Sequence, residues 1–270
     1  MSHARSVASW RIARTSPSGE VARVLEELRR HGVAKSSVQA LGMGSCWEPL
    51  DSRGRGLADD ASRSSGSGFG HGKDFVFPLL GDKVTVDSAD AFTQAALHPN
   101  VLQLANEYLG CFARLNYFNV WLNLPTAQTE TSSQLWHRDP GDSRIFKMFV
   151  LLSEMTDETG AFSYLKGSHF LGKWATLSPP STHDGASNRS TDSQLERVVP
   201  STQWSTMRAQ PAEIVFADTA GLHKGGFVKR GHRLLFVAEY IRRVMEQKPD
   251  LLIGDLGTLA RDPAARWAVR

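Results

Sequence analysis

The sequence predicts a mainly β protein with flanking helices, in which two sheets roll up as a jelly roll. Three observations carry this expectation. Short apolar segments with period-two alternation recur through the second half of the chain, Gly- and Asp-rich turns separate them, and helical patterns precede them instead of alternating with them. With 270 residues the chain can bury a large core. It is expected to form one domain over 1–270, with its core at about 104–240.

The elements follow in order. Residues 19–31 place Val21, Val24, Leu25 and Leu28 on one helical stripe, with Ser16 or Ser18 to cap the start and Gly32 to end it. Residues 51–72 contain Arg53-Gly54-Arg55-Gly56 and a Ser/Gly-rich run, and read as a long loop, either plain or a lid over an active site. Residues 88–108 predict helix in one or two pieces, broken at Pro99. Over 113–124, Asn119, Trp121 and Asn123 share one strand face while Phe118, Val120 and Leu122 share the other. Residues 134–139 read as a short strand and 145–152 as a strongly apolar one with Lys147 inside it. Residues 161–165, 212–216 and 234–241 supply further strands. Residues 172–207 hold Pro179-Pro180 and a Ser/Thr/Asn cluster and read as an insertion.

Charge and cysteine content narrow the function classes. A net charge of +3, with basic residues scattered and no continuous stripe interleaved with aromatics, disfavours nucleic acid. No run approaches the roughly 18 apolar residues of a membrane span. The first residues lack an apolar core with a cleavage-like end, and Cys46 and Cys111 make no disulfide framework, so a cytoplasmic protein is expected. The expected partner is a small-molecule substrate. Oligomeric state is not legible.

His137-Arg138-Asp139, followed much later by His223 and Arg233, is the most informative constellation. On a strand, residues i and i+2 face the same way, so His137 and Asp139 can reach one ion while Arg138 points away. Two imidazoles and one carboxylate leave open positions on an octahedral Fe(II), enough for a bidentate 2-oxo acid and dioxygen. A structural zinc site would want a fourth ligand. Arg233 opens a strand after the second histidine, and its paired donors suit the distal carboxylate of 2-oxoglutarate; Arg230 is the rival, expected to be more exposed on a turn with Lys229 and Gly231. The bland reading stays open beside this one: a satisfied core histidine, a turn-starting aspartate before Pro140-Gly141, and a surface histidine.

Trp136-His137-Arg138-Asp139, Asp157-Glu158-Thr159-Gly160-Ala161-Phe162, Lys166-Gly167-Ser168-His169 and the run from Phe216 through His223 to Arg233 resemble the phytanoyl-CoA dioxygenase family of 2-oxoglutarate oxygenases. The resemblance spans roughly 104–240. It implies a double-stranded β-helix, cupin-like core, with His137, Asp139 and His223 as iron ligands and Arg233 on the cosubstrate. Related halogenating enzymes replace the metal-binding carboxylate with Gly or Ala, so Asp139 disfavours halogenation.

Other positions carry two readings each. Asn119, Gln134 and Thr219 can donate to cosubstrate or substrate, or can satisfy backbone groups. Lys147 can bind an anionic ligand, pair with an acid, or snorkel from the edge. Trp136 and Trp121 can line the pocket or pack in the core. Arg144, Arg230 and Lys147 lean towards an anionic substrate. The expected function is therefore an Fe(II)/2-oxoglutarate-dependent dioxygenase that consumes O2 and hydroxylates an unactivated C–H bond of a small, anionic or amino-acid-like secondary metabolite, releasing succinate and CO2. Desaturation, cyclisation and epimerisation are the alternatives. A non-catalytic jelly-roll binding protein or a zinc hydrolase ranks below them.

Overall fold

The computed structural model describes residues 2–64, 75–126, 129–181, 188–244 and 251–270. In chain order these form α1 (His3–Ala13), α2 (Gly19–His31), β1 (Val33–Ser37), α3 (Gly44–Ser64), β2 (Val76–Pro78), β3 (Val84–Val86), α4 (Ala91–Ala96) and α5 (Pro99–Leu109). There follow β4 (Arg114–Asn123), β5 (Ile145–Leu151), β6 (Phe162–Leu165), α6 (Asp192–Glu196), β7 (Trp204–Met207), β8 (Glu213–Asp218), β9 (His223–Lys224), β10 (Arg233–Ile241), β11 (Leu251–Ile253) and α7 (Pro263–Ala268).

The main sheet has six strands in the order β1-β8-β5-β10-β4-β2, and its neighbours run antiparallel. Period-two alternation splits every long strand between two cores. Phe118, Val120 and Leu122 of β4, Phe146 and Met148 of β5, Phe216 of β8 and Phe236 of β10 face the helices, where they join Leu28 of α2, Phe92 of α4 and Leu102 of α5. Each such buried side chain contributes about 1.5–3 kcal/mol relative to exposure. The opposite face carries Leu151, Val215, Ala217, Leu235 and Val237, which pack against Phe162 and Tyr164 of β6. Strand β6 is the middle of a second sheet, β7-β6-β9. The architecture is therefore helices on one face of a large sheet and a small sheet on the other, with the site between the sheets.

Local chemistry explains several boundaries. Helix α2 runs over Gly19–His31 as expected and ends on Gly32, whose φ of 79° no L side chain adopts readily. A Cβ at Gly32 would also strike the Tyr164 hydroxyl of the small sheet. Ser18 occupies the N-cap position without making a side-chain cap bond. Pro99 separates α4 from α5 by opening the second helix, where its missing N–H is no loss.

Four expectations need correction. The described strands do not close into a barrel, and helix takes up as much of the chain as strand, so the fold is mixed α and β. Residues 51–64 are helical, not loop, while 65–72, the rest of the expected loop or lid, lie outside the described residues. The stripe Trp47, Leu50, Leu57 and Ala58 packs on the main core, Arg55 pairs with Asp51 one turn back, and Gly54 sits against Leu152 where a Cβ would collide. Residues 132–134 form a 3-10 turn, and only Trp136 and His137 make isolated bridges beyond it. Residues 172–207 do not all leave the core, because Trp204–Met207 is β7, an edge strand on β6. Among the described residues, no helix is long and apolar enough to cross a membrane.

Candidate metal centre

His137 and His223 are zipped together by their backbones. The amide of His137 donates to the carbonyl of His223 at 2.9 Å, and the reverse bond is 3.0 Å. This places the two rings 4.3 Å apart, centroid to centroid. Each ring points its Nδ1 at a carbonyl two residues back, Leu135 at 2.8 Å and Gly221 at 2.9 Å. A carbonyl only accepts, so Nδ1 carries the proton and Nε2 keeps its lone pair for a metal. Burial, reinforced by neighbouring His137, pushes the His223 pKa down to about 3, which keeps that imidazole neutral.

The Asp139 amide donates to Thr219 O at 2.8 Å, which aims the carboxylate at the rings. Asp139 Oδ1 lies 3.5 Å from His137 Nε2, and Oδ2 lies 3.8 Å from His223 Nε2. One ligand atom from each of the three residues falls within 4.8 Å of the others. This is a two-histidine, one-carboxylate metal-binding constellation with no fourth protein ligand among the described residues. Arg138 points away, as its place between the ligands requires. Its guanidinium donates to the carbonyls of Ser168, Ala220, Trp174 and Leu177, and so ties down the segment before His223.

The triad lines a cavity of about 290 Å³ between the sheets. Tyr117, Trp121, Phe149, Met155, Phe162 and Leu235 make its walls mostly apolar and aromatic, with Tyr117 and Trp121 stacked at 6.3 Å. Arg233 enters from the start of β10. It is buried, donates to Asn123 Oδ1 at 3.1 Å, leaves its Nε without a partner, and has no acidic partner among the described residues. Burial alone pulls its pKa down to about 10. A charged fork in that condition is a ready site for a carboxylate. Gly160, at a φ of 87°, lets the Gly226 backbone and the Arg233 guanidinium come close, and a Cβ there would strike both.

The other expected site residues divide. Lys147 reaches the cavity, but its ammonium is spent on Asp139 Oδ2 at 2.7 Å and Glu239 Oε2 at 3.0 Å. Burial opposes the charge on Lys147, and Asp139 chiefly more than offsets it, so its pKa lies well above the usual lysine value. Burial likewise pushes Asp139 up, yet Lys147 and the imidazoles hold it well below the ordinary carboxylate range. Gln134 lines the cavity while its Oε1 accepts from Thr131 N.

Asn119, Thr219, Trp136, Arg144 and Arg230 do not line it. Asn119 accepts from Leu80 N and donates to Gly81 O, which clamps a turn. Thr219 is buried beside the triad segment, with its hydroxyl unpartnered. Trp136 is core, donating to Asp192 at 2.7 Å and packed on Trp204. Arg144 stacks over Phe170 in a separate cleft, and Arg230 is exposed on a turn. Asn123, Glu239, Tyr117, Phe149 and Phe162 were missed. Alternation places Tyr117 and Asn123 on the Trp121 face and Phe149 on the Lys147 face, so their side was legible; that this side encloses a cavity was not.

The sequence matches no family model and no curated protein. Solved structures do match in fold. HygX from Streptomyces hygroscopicus, with nickel and 2-oxoglutarate bound, shares 16% identity over 83% of this chain and 87% of its own, with a TM-score of 0.54. The non-heme α-ketoglutarate-dependent carbocyclase SnoK from nogalamycin biosynthesis shares 15% identity over 90% and 98%, with a TM-score of 0.53. The epimerase SnoN, in complex with Fe3+, α-ketoglutarate and nogalamycin RO, shares 17% identity over 85% and 86%, with a TM-score of 0.51. The chain shares its fold with these proteins. At such identities the likeness establishes fold alone, and it is broader than the phytanoyl-CoA dioxygenase resemblance.

Proposed function

We propose that the protein is an Fe(II)/2-oxoglutarate-dependent oxygenase that oxidises a C–H bond of a small, largely apolar metabolite and releases succinate and CO2. The observation that carries this is the joint opening of two features into one cavity: a two-histidine, one-carboxylate triad, and the buried guanidinium of Arg233, which has no acid beside it among the described residues. Ferrous iron with 2-oxoglutarate supplies oxidising power that no side chain has. The protein's share is geometric. His137 and His223 offer Nε2, Asp139 offers an oxygen, Arg233, held in place by Asn123, receives the distal carboxylate, and the aromatic walls exclude water. We assign the chain as one domain over 1–270 in this reading, a cytoplasmic phytanoyl-CoA dioxygenase relative.

An anionic substrate keeps one cation in the cavity lining, Arg189, whose Nη1 donates to Ser132 O at 2.9 Å, and loses the others that the sequence offered. Arg144 and Arg230 stand outside the cavity, and Lys147 is paired twice within it. Stacked Tyr117 and Trp121 favour an unsaturated or ring-bearing skeleton instead. Epimerisation or ring closure is the second reading, favoured by the fold shared with an epimerase and a carbocyclase of nogalamycin biosynthesis.

The test is an anaerobic titration of Fe(II)-loaded protein with 2-oxoglutarate, followed by a succinate assay on admitting O2. Saturable binding with O2-dependent succinate release is expected. Metal-loaded protein that ignores 2-oxoglutarate would sink the proposal and leave the binding-protein and zinc-hydrolase alternatives.

A further inference from the structure

Behind the triad, Lys147 of the cavity wall belongs to an ion pair that metal ligation does not require. Lys147 of β5 stands opposite Glu239 of β10 in the sheet register. Both are buried, and their 3.0 Å pair continues on one side to Asp139 Oδ2 and on the other to Asn116, whose Nδ2 donates to Glu239 Oε1 at 2.7 Å. The Lys147 ammonium also lies over the Tyr117 ring at 5.4 Å. A buried cation beside a divalent metal site is a poor choice on electrostatic grounds alone, since it repels the ion. Glu239 offsets that charge. The net effect of the pair is therefore a directed hydrogen bond to one oxygen of Asp139.

We propose that Lys147, held by Glu239, is a positioning residue that restricts Asp139 to ligation through a single oxygen. Oδ2 is engaged by the ammonium, which leaves Oδ1 for the ion. A carboxylate bound through both oxygens would take one of the positions that a bidentate 2-oxo acid and dioxygen together need. Lys147 thus keeps the coordination sphere open without touching the substrate. The inference rests on the metal and cosubstrate reading above.

Cobalt(II) tests it, because its visible absorption reports coordination number and needs no turnover. Wild-type protein, Lys147→Met/Glu239→Gln, and Lys147→Arg are loaded with Co(II) and titrated with 2-oxoglutarate. The double variant removes both members of the pair together, so that neither Lys147 nor Glu239 is left facing an empty partner, and Asp139 keeps the metal as its counter-charge. It is expected to bind Co(II) within about threefold of wild type, to show an altered Co(II) spectrum, and to bind 2-oxoglutarate at least about tenfold more weakly. Lys147→Arg keeps a donor to Asp139 and is expected to restore cosubstrate binding to within about threefold. A double variant with wild-type spectrum and cosubstrate affinity would overturn the inference, as would parallel loss of metal, cosubstrate and melting temperature, the signature of a structural role. If that variant does not fold, Lys147→Gln carries the same expectation, since its amide can satisfy Glu239 but is too short to hold Asp139 as well. Failure of wild-type Co(II) protein to bind 2-oxoglutarate is a different result: it removes the functional reading, and this inference with it.

Discussion

Arg233 shows how one residue trades stability for binding. A buried guanidinium with no acid beside it among the described residues destabilises the free protein, and an arriving carboxylate turns the same charge into paired hydrogen bonds. Arg233→Met is therefore expected to raise the melting temperature of the free protein while weakening 2-oxoglutarate by about 2 kcal/mol, roughly 30-fold. Thermal melts with and without 2-oxoglutarate measure both effects, and a variant that binds as wild type does would remove Arg233 from the site. His223→Ala leaves the backbone zip to His137 intact. It is expected to keep the far-ultraviolet circular dichroism of wild type and to lose metal affinity by more than about 100-fold, read by calorimetric titration. Retention of metal by folded His223→Ala protein would end the triad assignment.

At the scale of elements, close backbone approach holds the cosubstrate end of the cavity together. The turn before β6 crosses the segment before β10 at Gly160 and Gly226, and a Cβ on either would strike the other strand's backbone. Gly160→Ala also demands a left-handed backbone from an L side chain, at a φ of 87°. It is expected to destabilise by about 1–3 kcal/mol and to displace Arg233, so urea unfolding and 2-oxoglutarate affinity should both fall. At the other end, the β8 terminus is pinned through Asp218, which accepts from the Tyr108 hydroxyl of α5 at 2.6 Å and from Ile145 N at 3.0 Å. Tyr108→Phe strands that buried carboxylate oxygen and is expected to cost about 1.5–3 kcal/mol in chemical denaturation, with metal binding preserved. The helix over 51–64 is the reverse case, because its Gly and Arg content reads locally as loop. Gly54 is there to let the helix approach Leu152, a contact made far away in sequence.

For the whole molecule, the site draws on the sheet that holds the core. Arg233 and Glu239 sit on β10, Lys147 on β5 and Asn123 on β4, while His223 sits on β9 of the small sheet and His137 and Asp139 on the connection from β4 to β5, which bridges to it at His137. Ligands that bridge these parts stabilise the folded chain by mass action. Metal and 2-oxoglutarate at about 100 times their dissociation constants contribute about 2.7 kcal/mol each, and the expected rise in melting temperature with both bound is about 10 °C or more. Chelation should reverse it. A melting curve indifferent to metal, 2-oxoglutarate and chelator would mean that nothing binds between the sheets.

The sequence by itself determined whatever depends on neighbours within a few residues. The stripe of α2 and its Gly32 stop, the break at Pro99, the two faces of β4 and the strand over β5 all follow from local periodicity. The ligand types were likewise legible, since His137, Asp139, His223 and Arg233 are chemically scarce in that order. Only the tertiary structure decided which of the polar residues meet. Of the readings open for Lys147, the structure selected pairing with acids, Asp139 and Glu239, because β5 pairs with β10 in a register that sets it opposite Glu239. Arg144, Arg230, Asn119 and Trp136 left the site for the same kind of reason. Which side chains share a cavity is fixed by strand order and by what covers each sheet face, and these are contacts between residues a hundred positions apart.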